Sequence, residues 1–90
     1  MLICRVIGHI WSTKKEKSLE GLKFMMVREK DLEQGPVFVA ADLVGAGVGE
    51  DVLVVSGSTA RYAAKDGGAP VDAAIVGIID TVETEKETRK

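Results

Sequence analysis

Five short runs of β-branched and other apolar residues, one Ala-rich stretch of helical length and a chain of only 90 residues predict an all-β protein. The expected fold is a small five-stranded, OB-like β-barrel with one short helix. Turn residues punctuate the runs at short intervals. A barrel of so few strands is filled by its own side chains, so function is expected on its surface or between its copies.

The first run, residues 2–11 (LICRVIGHIW), alternates: Leu2, Cys4, Val6 and Ile10 form one apolar face, with Arg5 and His9 expected on the other. Residues 12–21 (STKKEKSLEG) break that pattern with a solvated charge run, and residues 22–29 (LKFMMVRE) resume it as a second strand. After the polar turn KDLEQGP, closed by Gly35 and Pro36, residues 37–42 (VFVAAD) form the third strand. Residues 51–57 (DVLVVSG) form the fourth and residues 73–82 (AAIVGIIDTV) the fifth. Between these last two lies STARYAAKDGG, where Ser58 or Thr59 is expected to cap one or two helical turns that stop at Gly67 and Gly68. The expected organisation is one barrel domain over residues 1–82 and a charged tail over residues 83–90, which has no apolar face.

Composition narrows the function. Hydrophobic residues make up 46% of the chain and charged residues 29%, the balance of an ordinary globular domain. Twelve basic and 14 acidic side chains leave a formal net charge of -2, without the electropositive field that attracts nucleic acid or anionic lipid, so neither is an expected partner. The apolar N-terminus carries Arg5 within it, is too short to span a bilayer and is followed by no small-residue cleavage site, which points to the cytoplasm. The single cysteine, Cys4, fits a reducing compartment. A core this small also makes self-association plausible from the outset.

The stretch DLVGAGVGEDVLVVSGSTAR (residues 42–61) invites comparison with a phosphate-binding loop. Its spacing is G-x-G-x-G, where the dinucleotide fingerprint needs G-x-G-x-x-G. It also leads through Glu50 and Asp51 into a strand, whereas phosphate loops open onto a helix N-terminus. The glycines are therefore read as structural, permitting positive φ or close backbone approach.

His9 and Cys4 differ in strand parity and are expected on opposite faces, which separates the one pair able to form a nucleophile and base. No G-x-S-x-G elbow surrounds Ser56 or Ser58, and Asp42, Glu50 and Asp51 are read as turn and edge carboxylates. No catalytic, cofactor-binding or metal-binding residues, and no enzymatic activity, are expected. An OB-like barrel raises the alternative of a single-stranded nucleic-acid-binding module, for which only Trp11, Phe24, Phe38 and Tyr62 could supply stacking. Phe24 and Phe38 are expected in the core, and Lys14, Lys15 and Lys17, interrupted by Glu16, in a solvated loop. Val44, Val48 and the Ala-rich STARYAA leave apolar loop surface that the core cannot cover, the mark of an interface.

The segments GHIWSTKK (8–15), LEGLKFMMV (19–27), AADLVGAGVGEDVLVVSGSTAR (40–61) and PVDAAIVGIIDTV (70–82) resemble, in order and spacing, the EutN/CcmL family of bacterial microcompartment vertex proteins. The resemblance implies a five-stranded OB-like barrel that assembles as a cyclic homopentamer and caps the corners of a polyhedral shell in the bacterial cytoplasm. Its implied partners are its own copies and hexagonal shell proteins, and it implies no cofactor. Gly45, Ala46, Gly47 and Gly49 match the family's glycine-rich loop, and with Val48 and Glu50 they are expected at a subunit interface or near the five-fold axis, where small residues let backbones approach. Ser58, Ala60 and Arg61 match as well and, with Thr59, are expected at the same interface, with Arg61 making an intersubunit ion pair or carbonyl clamp. Asp72 and Asp80 match the final strand in turn, edge or rim positions. Ser12, where alanine is common, and Asp51, where larger residues occur, are departures that leave assembly possible.

Overall fold

The computed structural model describes residues 1–84. Five strands, β1 (Leu2–Ile10), β2 (Lys23–Glu29), β3 (Val37–Asp42), β4 (Asp51–Ser56) and β5 (Ala73–Ile79), close a barrel in the order β1-β2-β3-β5-β4. One helix, α1 (Ser58–Ala64), lies between β4 and β5, and a 3-10 turn at Lys17–Leu19 interrupts the loop that joins β1 to β2. All neighbours are antiparallel except β3 and β5, which pair in parallel through Ala41–Ala74 and Asp42–Ile75 alone.

The barrel is strongly sheared. A circuit of paired residues that leaves β1 at Leu2 passes Val54, Ile75, Asp42 and Lys23, and returns to β1 just beyond the Ile10–Phe24 pair. Such a narrow barrel is packed with its own side chains. Cys4, Val6, Met25, Val27, Val52, Val54 and Ile75 are all under 2% exposed, with Leu2 and Phe38 packed against them. Burying each Val or Ile side chain fully is worth about 1.5–3 kcal/mol, and these inward positions hold the strands in register.

Strand existence and order agree with the sequence expectation, while several ends and one face do not. β4 stops at Ser56 and β5 at Ile79, short of Gly57 and Val82. Ser58 and Thr59 do not cap the helix: Gly57 is the N-cap, at φ 68°, with no side-chain hydrogen bond, and Ser58 is already helical. The helix ends at Ala64, before Gly67 and Gly68. In β1 the register slips between Val6 and Gly8, a bulge that reverses the alternation. His9 consequently stands opposite Met25, on the face shared with the core, and Ile10 opposite Phe24 on the outer face. Phe24 is half-buried there, so of the two phenylalanines only Phe38 packs against the barrel core. Of the expected tail, residues 85–90 lie outside the described residues.

Candidate functional site

The segment after β3 folds around a carboxylate. Asp42, 8% exposed, accepts hydrogen bonds at Oδ1 from the amides of Val44 (3.1 Å), Gly45 (3.0 Å) and Ala46 (3.2 Å), and at Oδ2 from Ala46 again (2.9 Å). Further on, Glu50 Oε1 accepts from the Gly47 amide at 2.6 Å, and the Glu50 amide donates to the Gly47 carbonyl at 3.2 Å. The loop then joins β1: the Gly49 amide donates to the Val6 carbonyl (2.8 Å) and the Val6 amide to the Glu50 carbonyl (3.0 Å). A phosphate cradle needs converging free amides. Here the amides of Val44, Gly45, Ala46 and Gly47 are taken by the chain's own Asp42 and Glu50, and that of Gly49 by the Val6 carbonyl, so no free set of amides converges on a phosphate.

The glycines divide by cause. Gly45 and Gly49 sit at φ 78° and 94°, where a side chain is strained, and a Cβ on either would meet nothing within 4 Å. Their presence follows from the loop's own path, without reference to a neighbour. Gly47 has no such backbone need, and a Cβ added there would lie 3.4 Å from Glu50 Oε1, an ordinary contact. Ala46 is buried in the barrel core, while Val44 and Val48 are 40% and 61% exposed.

The helix presents the second group. Ala60 is fully buried against Val55 and Ala74, and Leu43, at the start of the loop, packs on the same cluster. That contact ties loop and helix into one unit. The amides of Ala60 and Arg61 donate to the Gly57 carbonyl (3.1 and 3.4 Å), and the Ala69 amide donates to the Arg61 carbonyl at 3.2 Å, folding the chain back along α1. Ser58, Thr59, Arg61 and Tyr62 face solvent. Arg61 lies beside Pro70, Val71 and Asp72 in a shallow cleft, and no ion pair holds its guanidinium among the described residues.

Of the sequence-predicted site residues, Gly45, Gly47, Val48, Gly49 and Glu50 thus lie together on one loop, with Ser58, Thr59 and Arg61 on the neighbouring helix. Ala46 and Ala60 are packed inside the chain and support that surface from within. Two residues read from the sequence only as turn and edge carboxylates acquire defined partners. Asp42 organises the loop, and the string Asp-x-x-Gly is the signal for a carboxylate that turns back on its own amides. Asp51 bridges Arg5 Nε (2.9 Å) and Lys30 Nζ (2.8 Å), clamping the start of β4 to β1 and the end of β2. The Arg5 hydrogen bond, followed by that from Lys30, holds the Asp51 carboxyl below the usual carboxylate range.

Side chains able to do chemistry remain apart. Cys4 is buried in the core, and burial, with Glu29 adding to it, pushes its thiol pKa up, away from the reactive thiolate. The β1 bulge brings His9 to the same face, but five residues along a strand still separate the two by roughly 16 Å. His9 instead stacks on the exposed Trp11, ring centroids 4.4 Å apart. Among the described residues no three His, Cys, Asp or Glu side chains are grouped to hold a metal ion, and no helix is long and apolar enough to cross a membrane. The aromatic rings are dispersed, with Phe38 against the core, Phe24 on the outer face of β2, Trp11 on His9 and Tyr62 on α1. They make no common stacking platform.

A family model described as ethanolamine utilisation protein EutN/carboxysome matches residues 1–80. The carboxysome shell vertex protein CcmL of Synechococcus elongatus is 48% identical over 92 residues, covering 98% of this chain and 92% of its own length. The bacterial microcompartment shell vertex protein GrpN of Rhodospirillum rubrum is 46% identical over 87 residues, covering 93% of this chain and 98% of its own. Among solved structures, a GrpN pentameric microcompartment shell protein from Rhodospirillum rubrum superposes with a TM-score of 0.79 at 45% identity, covering 93% of this chain and 98% of that one.

Proposed function

This chain belongs to the EutN/CcmL family, and on that premise we propose that it forms homopentamers that cap the vertices of a bacterial microcompartment shell. It is a structural shell protein of the bacterial cytoplasm. The observation that carries the reading is similarity along nearly the whole chain to vertex proteins, one of them solved as a pentamer. Hexagonal tiles cover a flat surface but cannot close it, so a closed shell requires five-fold units at its corners. Its partners are its own copies and hexagonal shell proteins, and nucleic acid and membrane have no place in the assembly. No catalytic role follows, in keeping with carboxylates that bind the chain's own amides and cations.

A five-fold ring is built from head-to-tail contacts in which each copy offers one patch to a different patch of the next. We assign one patch to the loop and helix surface: Gly47 and Val48, braced by Gly45, Ala46, Gly49 and Glu50, with Ser58, Thr59 and Arg61 backed by Ala60. The Arg61 guanidinium, without an ion-pair partner among the described residues, suits a carboxylate or carbonyl of the neighbour, because its planar fork gains most from a desolvated, bidentate partner. The assembling barrel domain is assigned to residues 1–82, and the charged sequence from residue 83 is not part of that assignment. The test is the native mass of Gly47→Leu and Arg61→Glu beside the wild type. Both variants are expected to keep a folded barrel and to shift from ring to subunit; ring masses unchanged in both would contradict the assignment of that surface.

A further inference from the structure

A head-to-tail ring requires a surface beyond the loop and helix, and β3 provides an unusual one. Its hydrogen-bonded contact with β5 is confined to Ala41 and Asp42, so over Val37–Ala40 the edge facing away from β2 has no strand partner among the described residues. Alternate backbone amides and carbonyls of a strand point to each side, so this edge carries unpaired donors and acceptors. Exposed edges are ordinarily guarded by charge, a bulge or proline. Residues 37–41, VFVAA, hold no charge; only Pro36 precedes them, and Val37 and Val39 stand 40% and 46% exposed on the outer face.

Beside that edge runs a mostly apolar groove of about 190 Å³, lined by Phe24, Val39 and Ala41 and by Pro70, Val71 and the charged Asp72. The same Pro70, Val71 and Asp72 also wall the cleft that holds Arg61. Groove and helix surface are therefore continuous across one short segment of chain.

We propose that the free edge of β3 and its groove are covered in the assembly by an extended segment of the neighbouring copy, which adds to β3 as a further strand. The inference rests on the ring reading above. Strand addition satisfies the unpaired backbone groups while alternate side chains of the added segment enter the groove beside it. Continuity with the Arg61 surface, together with the pentameric state of a relative 45% identical to this chain, makes the occupant a second copy of this chain.

Two measurements on the full chain test this. In Val39→Lys the new ammonium stands on the outer face, where the isolated barrel leaves it solvated, but strand addition would bury it. With both proteins diluted to single subunits, its thermal transition is expected to stay close to the wild type, and the concentration at which rings dissociate is expected to rise about tenfold or more. Independently, amide hydrogen exchange on the wild type, as rings and as subunits released by dilution, should show the free-edge amides of Val37–Ala40 protected only in the rings. A wild type that forms rings while Val39→Lys rings are equally stable, or while those amides exchange equally fast in both states, overturns the strand addition and leaves the vertex reading standing. Protection that persists in the released subunit means the chain covers its own edge, and also overturns it. A wild type that never forms rings removes both. If Val39→Lys does not fold, the exchange comparison on the wild type decides alone.

Discussion

Asp42 holds the loop from inside, with the amides of three successive residues converging on its carboxylate at 2.9–3.2 Å. Asp42→Ala would leave those amides without their charged acceptor, and a loss of about 2–3 kcal/mol is expected, read as a lower denaturation midpoint. Asp51 acts at the other end of the same connection and is sensitive to pH. Its folded pKa is depressed by Arg5 first and Lys30 second, so its contribution is present above the unfolded value of about 3.9 and is lost as pH falls through the lower folded value. The stability gap between wild type and Asp51→Asn should therefore be open at neutral pH and close progressively below about pH 4, as followed by thermal melts across that range. Arg5 and Lys30 are partly exposed, with side chains 53% and 32% accessible, so salt should narrow the same gap. The roles of these two aspartates are only half legible in the sequence. Their positions at a turn and a strand edge can be read from the chain, but Asp51's partners come from residues distant in sequence.

At the scale of elements, the five strands are legible because each is a short apolar run ended by turn residues, and β3 matches its expected bounds. The reversal of face within β1 is not. Apolar residues at both Val6 and Ile7 hide a bulge, and the one local sign is Gly8, since glycine inside a strand often marks such a site. The start of α1 departs from expectation for a related reason. Serine is a good cap, but the preceding Gly57 takes the cap position at φ 68°, a conformation decided by how β4 must turn onto the barrel surface. Gly57→Ala is accordingly expected to cost about 1 kcal/mol, because the new Cβ is strained at that φ. Within the glycine loop, Gly45→Ala should carry a similar cost and Gly47→Ala almost none in the isolated barrel. Melts under conditions where only single subunits are present separate the three. The residues assigned to the proposed interface are picked out in the sequence by the loop and the turn that follows β4. The division between exposed members and buried supports such as Ala46 and Ala60 needs the packing.

For the whole molecule, a barrel of this size fills itself and leaves its distinctive features on the outside: an internally braced loop, an arginine on a short helix and a strand edge, both without a partner among the described residues. The loop is accounted for by its own bracing, whereas the arginine and the edge are the groups that the proposed association with copies of the same chain would engage. A monomer would gain nothing from an uncharged, valine-bearing edge that invites aggregation. In the proposed ring the edge would be covered and the same groups would become specific contacts, in the five-fold unit that a shell of hexagons needs. The measurement that bears most directly on this account is the native mass of the wild-type protein in solution over a range of concentrations. The account predicts one dominant closed species at five times the 9.6 kDa of a single chain. A persistent monomer, or an open series of masses without a five-subunit endpoint, would contradict it.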